Sequence, residues 1–166
     1  NIQYGNLPGF QISEHGKQQC YAAGKILKES NKQIEKIITS PLLRARETST
    51  IISEILNIPI FFSDNLTEWS GVNNWIGKTI EEIKKSKEYS KEKSSLDLNP
   101  VGETLKNVYE RVKIEYKNNT NTLFVSHQDT IRAFTYFLTN DKNYSMYKPK
   151  NCEIQYIENN IIHTLS

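Results

Sequence analysis

The stretch from Ile37 to Thr50, Ile-Ile-Thr-Ser-Pro-Leu-Leu-Arg-Ala-Arg-Glu-Thr-Ser-Thr, constrains the fold more than any other part of the chain. Two β-branched residues lead into Thr39-Ser40-Pro41, and a helical pattern begins at once. Ser40 has the chemistry of an N-cap and Pro41 that of a first helical residue. Apolar residues then recur at Leu42, Leu43, Ala45, Ile51, Ile52, Ile55 and Leu56, one face of a helix. Arg44 therefore falls in the first turn of a helix that leaves the end of a strand. Free backbone N–H groups and the helix dipole attract anions at such a place, and an arginine adds a planar fork matched to phosphate. On local grounds alone the same residues read as an ordinary junction with a surface arginine.

A second stretch has the same form. Thr122-Leu123-Phe124-Val125 reads as a buried apolar strand that ends in Ser126-His127, and Ile131, Ala133, Phe134, Phe137 and Leu138 continue as a helix. Ligands of open α/β sheets bind at the carboxyl ends of strands, where Arg44 and His127 both fall. Taken alone, a histidine after a strand is more often a hydrogen-bonded structural residue.

Shorter signals fill in the rest. Ser13 caps a helix running to about Glu29, and Glu35–Thr39 and Ile60–Phe62 read as strands. Thr79-Ile80-Glu81-Glu82 is a capping box. The Lys-, Ser- and Glu-rich run from Lys84 to Asn99 reads as a solvent-facing segment, a lid or a plain loop. Leu105, Val108, Val112 and Tyr116 mark a helix to about Lys117. Two late strands, Glu153–Ile157 and Ile161–Leu165, flank an Asn159-Asn160 turn, with His163 alternating in the second. His15 reads as an ordinary surface histidine.

A chain of 166 residues fits one domain with a core of its own. The net charge of +2 is too small to argue for nucleic acid or a membrane surface. No apolar run approaches the ~20 residues of a spanning helix. No signal peptide is visible, and because residue 1 is Asn a leader could have been removed. Cys20 and Cys152 are far apart in sequence and have no companion ligands. They read as reduced structural thiols of a cytoplasmic protein, not as a zinc site or disulfide framework.

Ser40-Pro41-Leu42-Leu43-Arg44-Ala45-Arg46-Glu47-Thr48 resembles the Ser-Pro-Leu-x-Arg-Ala-x-x-Thr signature of the histidine phosphatase superfamily, the phosphoglycerate mutase-like enzymes. Other segments follow that family's order. Ile12-Ser13-Glu14-His15-Gly16-Lys17-Gln18-Gln19-Cys20 resembles the opening of its first helix, with Cys for Ala. Leu66-Thr67-Glu68 resembles its Leu-x-Glu segment, followed more loosely by Gly71, Trp75 and Gly77. Gly102-Glu103-Thr104 resembles a Gly-Glu-Ser/Thr helix start, and Ser126-His127 its Ser/Thr-His-Gly, with Gln128 for Gly.

The resemblance implies a three-layer α/β sandwich, a mostly parallel sheet with helices on both faces. It implies phosphoryl transfer from a small phosphorylated metabolite without metal or cofactor. Arg44 and His127 would stabilise the phosphoryl oxygens and Glu68 would protonate the leaving group. Asn1, Gly9 and Gln128 become the phosphate- or substrate-binding positions. A chain this short after the glutamate fits a phosphatase better than a mutase. A homodimer is common in the family, although no interface signal stands out.

Family members begin with a strand ending in Arg-His-Gly, whose histidine is the nucleophile and becomes a phosphohistidine. That tripeptide occurs nowhere in this sequence. Asn1 matches the asparagine just downstream of it, so the expectation is a chain that starts after the family's first, central strand. Truncation of a normal enzyme and natural loss in a catalytically silent relative both remain open. The silent relative would bind a phosphorylated ligand or a protein partner.

Overall fold

A computed structural model of the chain describes Leu7, residues 9–70, Trp75, residues 77–86 and residues 103–166, with Ser145 and Met146 described by backbone alone. Asn1 and nearly all of the Lys84–Asn99 run lie outside the described residues.

Helix α1 (Glu14–Glu29) starts where the Ser13 side chain accepts a hydrogen bond from the Gly16 N–H, as its sequence predicts. Strand β1 (Lys36–Thr39) follows, then α2 (Leu43–Leu56), β2 (Ile60–Phe62) and a 3-10 turn at Asp64–Leu66. The capping box at Thr79 forms and opens α3 (Ile80–Lys84). Thr104 caps α4 (Leu105–Asn118), which leads to β3 (Thr122–Val125) and α5 (Gln128–Thr139). A second 3-10 turn at Lys142–Met146 precedes the hairpin of β4 (Ile154–Glu158) and β5 (Ile161–Leu165). Asn159 and Asn160 both take positive φ, the geometry that a two-residue hairpin turn requires.

The sheet is parallel, in the order β2-β1-β3. Strand β1 is its middle, and side chains alternate across it. Ile37 points to one layer, where it packs with Leu27 of α1 and Ile52 of α2. Ile38 points to the other, with Leu105, Val108 and Val112 of α4 and Ala133 and Phe134 of α5. Helices therefore cover both faces, as expected of a three-layer α/β sandwich. No helix among the described residues is long and apolar enough to cross a membrane.

Two expectations need correction. Helix α2 begins at Leu43, not Pro41, with Leu42 as an N-cap that makes no side-chain bond. The Ser40 hydroxyl lies instead against Nε2 of His127, the N-cap residue of α5. Strand β3 is half-covered along its length, not buried. Among the described residues it pairs only with β1, and the β4–β5 hairpin forms a separate two-stranded sheet.

Ile37 has no exposed surface, whereas Phe61 on β2 is 52% exposed. Ile37→Ala is expected to lower unfolding free energy by about 2–5 kcal/mol. Phe61→Ala should change it by less than about 1 kcal/mol, since surface changes seldom matter more. Urea unfolding of both variants checks the contrast, and equal losses would place the core elsewhere.

Candidate active site

The site is built where two parallel strands end side by side. Thr39 is paired with Val125, and the Ser40 N–H extends the ladder by donating to the Val125 carbonyl at 3.0 Å. The chain leaves β1 into α2 and β3 into α5, so Arg44 and His127 arrive at the same edge of the sheet. Buried Thr39 fixes the first of these exits, its hydroxyl donating to the Ala45 carbonyl at 3.3 Å.

His127 is 7% exposed, and its Nε2 lies 2.8 Å from Ser40 Oγ. The same hydroxyl accepts from the Leu42 N–H at 3.3 Å. That orientation leaves the serine proton for Nε2, which suits a neutral imidazole protonated on Nδ1. Burial, then the charges of Arg44 and Arg111, push the His127 pKa down to about 3.

Glu68 reaches the site from the segment after β2. Its Oε1 accepts from the Trp69 N–H at 2.8 Å, and the Thr130 N–H and hydroxyl approach it at 3.3 Å. Thr130 lies in the first turn of α5, so the carboxyl sits at that helix's N-terminus. The segment is bound to the end of β3 at two further points. Ser126 Oγ donates to the Leu66 carbonyl and Thr130 Oγ1 to the Thr67 carbonyl, each at 2.8 Å. From the other side, Arg111 donates to Glu103 at 2.6 and 3.1 Å and to the Asn65 carbonyl at 2.5 Å. Trp69 Nε1 donates to the Glu103 carbonyl at 2.6 Å.

Glu68 as a residue keeps some exposed surface, but its carboxyl end is turned inward among these donors. Burial, reinforced by the charge of Asp129, pushes its pKa up to about 7, while the backbone bonds and Arg44 pull the other way. Arg44 thus stands close enough for its charge to act on both Glu68 and His127.

The other expected positions are placed differently. Gln128 is exposed, and its amide donates to the Pro149 carbonyl at 3.2 Å, tying α5 to the loop before β4. Gly9 is exposed, with φ of 85°, in the segment before α1. Asn1 lies outside the described residues. Ser40, Thr130 and Arg111 touch or support the site and were not expected in these roles. Ser40 lies inside the signature, and Thr130 three residues after His127; Arg111 carries no local signal at all. Among the described residues no cluster of three or more His, Cys, Asp or Glu is arranged to hold a metal. A cavity of about 250 Å³ opens elsewhere, beside Lys36, Phe61, Phe62 and Glu115 at the β2 edge. Its lysine already donates to Asn119, at 2.8 Å.

The family model of the histidine phosphatase superfamily (branch 1) matches residues 1–160. The chain belongs to that superfamily. No curated protein matches the sequence. Solved structures do match the fold. Mycobacterial glucosyl-3-phosphoglycerate phosphatase gives a TM-score of 0.79 at 20% identity, over 93% of this chain and 80% of that one. It has also been solved in complex with inorganic phosphate. The α-ribazole phosphatase of Shigella flexneri gives 0.73 at 18% identity, over 100% of this chain and 87% of that one. Bacillus stearothermophilus YhfR gives 0.72 at 21% identity, over 96% and 87%. At such identities the likeness is one of fold, and superfamily membership supplies the class of chemistry, phosphoryl transfer.

The raised Glu68 pKa has a sign that can be tested. Between its unfolded value near 4.5 and its folded value of about 7, the native state binds more protons than the unfolded one, so stability falls as pH rises. Glu68→Gln removes this dependence. Unfolding free energies of wild type and variant across pH 4–8 should show wild type losing ground to Glu68→Gln as pH rises from 4.5 to 7. Parallel curves would mean that the carboxyl is not desolvated.

Proposed function

We propose that the site binds the phosphoryl group of a small phosphomonoester, with Arg44 and His127 on its oxygens and Glu68 as proton donor to the leaving oxygen. The observation that carries this reading is the meeting of a buried imidazole, an arginine and a carboxyl whose pKa is raised by burial at the ends of two parallel strands. An arginine fork matches phosphate geometry, and a phosphate dianion supplies the negative charge that makes protonation of His127 favourable. A carboxyl with a pKa near 7 is protonated in roughly half of the molecules at neutral pH and can release that proton as the ester bond breaks. Two of the solved structures that match the fold are named as phosphatases, which favours hydrolysis over mutase chemistry.

The nucleophile is a separate matter. The family's phosphohistidine stands in Arg-His-Gly, and the three histidines here are His15, His127 and His163. His15 is exposed on α1, and His163 stacks on Tyr156 with ring centroids 4.8 Å apart. Neither is joined to the Ser40–His127 pair. We propose that these 166 residues by themselves bind phosphate but transfer it poorly. A second reading rests on the same observation: this chain serves as a binder of a phosphorylated ligand or a protein partner.

Thermal-shift titration with inorganic phosphate and with 3-phosphoglycerate, beside a p-nitrophenyl phosphate assay, tests the proposal. The expected result is stabilisation by phosphate, weakened about tenfold or more in apparent affinity by Arg44→Ala, with little turnover. Loss of one charged hydrogen-bond partner of the anion accounts for that magnitude. Turnover at ordinary phosphatase rates, abolished by His127→Ala, would refute the poor-transfer reading. No response to either ligand would refute phosphate binding.

A further inference from the structure

Cys20 and Cys152 are 132 positions apart in sequence, yet their sulfurs lie 3.4 Å apart. Cys20 is on the buried face of α1 and is 1% exposed, while Cys152 is half-covered in the turn that leads into β4. The turn itself does not call for a cysteine. Among the described residues six non-glycine positions have positive φ, and five of them are asparagine, the residue suited to that conformation. Cys152, at φ of 57°, is the sixth. Its place is explained by where its side chain goes, onto the sulfur of Cys20.

We propose that Cys20 and Cys152 are a reversible disulfide modification site, oxidised by a small disulfide of the glutathione type, which staples α1 to the β4–β5 hairpin. A disulfide bond is about 2.05 Å long, so the sulfurs must close by roughly 1.4 Å. The pair is also poised in protonation. The contact between the two sulfurs lowers the Cys20 pKa and raises that of Cys152. Cys152 is the sulfur that solvent can reach, so exchange with an external disulfide starts there once its proton passes to Cys20.

The exchange balances as follows. The Cys152 thiolate attacks one sulfur of oxidised glutathione; the glutathione S–S bond breaks and one glutathione leaves as a thiolate, which takes up a proton. Cys20, giving its proton to solvent, attacks Cys152 Sγ and displaces the second glutathione, which is protonated in turn. Two protein thiols and one oxidised glutathione become one protein disulfide and two reduced glutathiones.

The staple has a mechanical consequence. The hairpin makes no strand pairing with the three-stranded sheet among the described residues. It is held by Ile154 and Leu165 packed against the Leu27–Ile37–Ile52 cluster, and by the Lys32 ammonium 3.7 Å from the Tyr156 ring centroid. A covalent link across so long a loop removes much freedom from the unfolded chain. The link also lies near the site. Cys20 Sγ lies 3.5 Å from Thr48 Oγ1, and that hydroxyl donates to the Arg44 carbonyl at 2.9 Å.

The test is incubation of the native 166-residue protein with oxidised glutathione, followed by alkylation under denaturing conditions and peptide mass analysis without reductant. The expected product is a Cys20–Cys152 cross-linked peptide that dithiothreitol reverses, with a Tm higher by roughly 5–15 °C than that of the reduced protein. Cys20→Ser should instead retain glutathione on Cys152, and Cys152→Ser should leave Cys20 unmodified in the folded protein. Three results would overturn the proposal: glutathione retained on Cys152 of the wild type, a disulfide between two molecules, or both thiols still open to alkylation.

Discussion

The register between β1 and β3 is the constraint on which the rest of the site depends. Because Thr39 is opposite Val125 and the ladder runs one bond further to the Ser40 N–H, the two strands end level. Two exits into helices then have to share one edge. This sets Ser40 Oγ 2.8 Å from His127 Nε2 and so joins the residues that lead into α2 and α5. A slip of one residue would send every side chain of β3 to the opposite layer. Phe124, which packs with the α4–α5 cluster, would then face α1 and α2, and Leu123 and Val125 would change layer with it. The same pattern that buries the core therefore aligns the site, and the two cannot be changed separately.

Charge in this setting is kept low by the fold itself. His127 is held neutral by burial and by two arginines, and burial with the Asp129 charge raises the Glu68 pKa. Their effects on stability have opposite signs. The depressed His127 pKa makes the native state lose ground as pH falls from about 6.5 toward 3, because the unfolded chain takes up the proton first. The raised Glu68 pKa makes it lose ground as pH rises from 4.5 toward 7. Between about 4.5 and 6.5 the two slopes oppose each other, which lets a fold carry two uncomfortable groups without a steep pH dependence. The arginine charge beside a neutral histidine gives the pocket its preference for an anion.

What could be read from the sequence is what local chemistry decides. Ser13, Thr79 and Thr104 cap their helices because a hydroxyl and the N–H groups two or three residues on are all that a cap needs. Asn159-Asn160 turns because both residues tolerate positive φ. Arg44 and His127 stood out because they follow the ends of apolar strands, and Glu68 only because Leu66-Thr67-Glu68 resembles a family segment. Ser40 shows where this fails: as a cap it looks ideal, but a buried histidine 87 positions away takes its hydroxyl. Arg111 and the Cys20–Cys152 contact fail for the same reason, since separation along the chain says nothing about separation in space. The half-covered state of β3 is likewise a property of its neighbours, not of Thr122–Val125 themselves.

The residues after His127 show how fold and site requirements meet in one place. Asp129 is in the first turn of α5, where a carboxylate is favoured by the helix dipole, and it pairs with Arg132 at 3.1 Å. Those reasons suffice for a structural aspartate. Its charge nevertheless acts on Glu68 and helps keep that carboxyl protonated. Thr130 is equally double. Its hydroxyl ties α5 to the Thr67 carbonyl, while its N–H and hydroxyl sit against Glu68. Gln128, where the family pattern has glycine, spends its amide on Pro149 and so binds the start of α5 to the loop before β4. One turn of helix thus fixes the position of the acid, sets its protonation and anchors the loop that carries Cys152. A substitution in that turn acts on all three at once, and effects on activity there are not separable from effects on the fold without a readout for each.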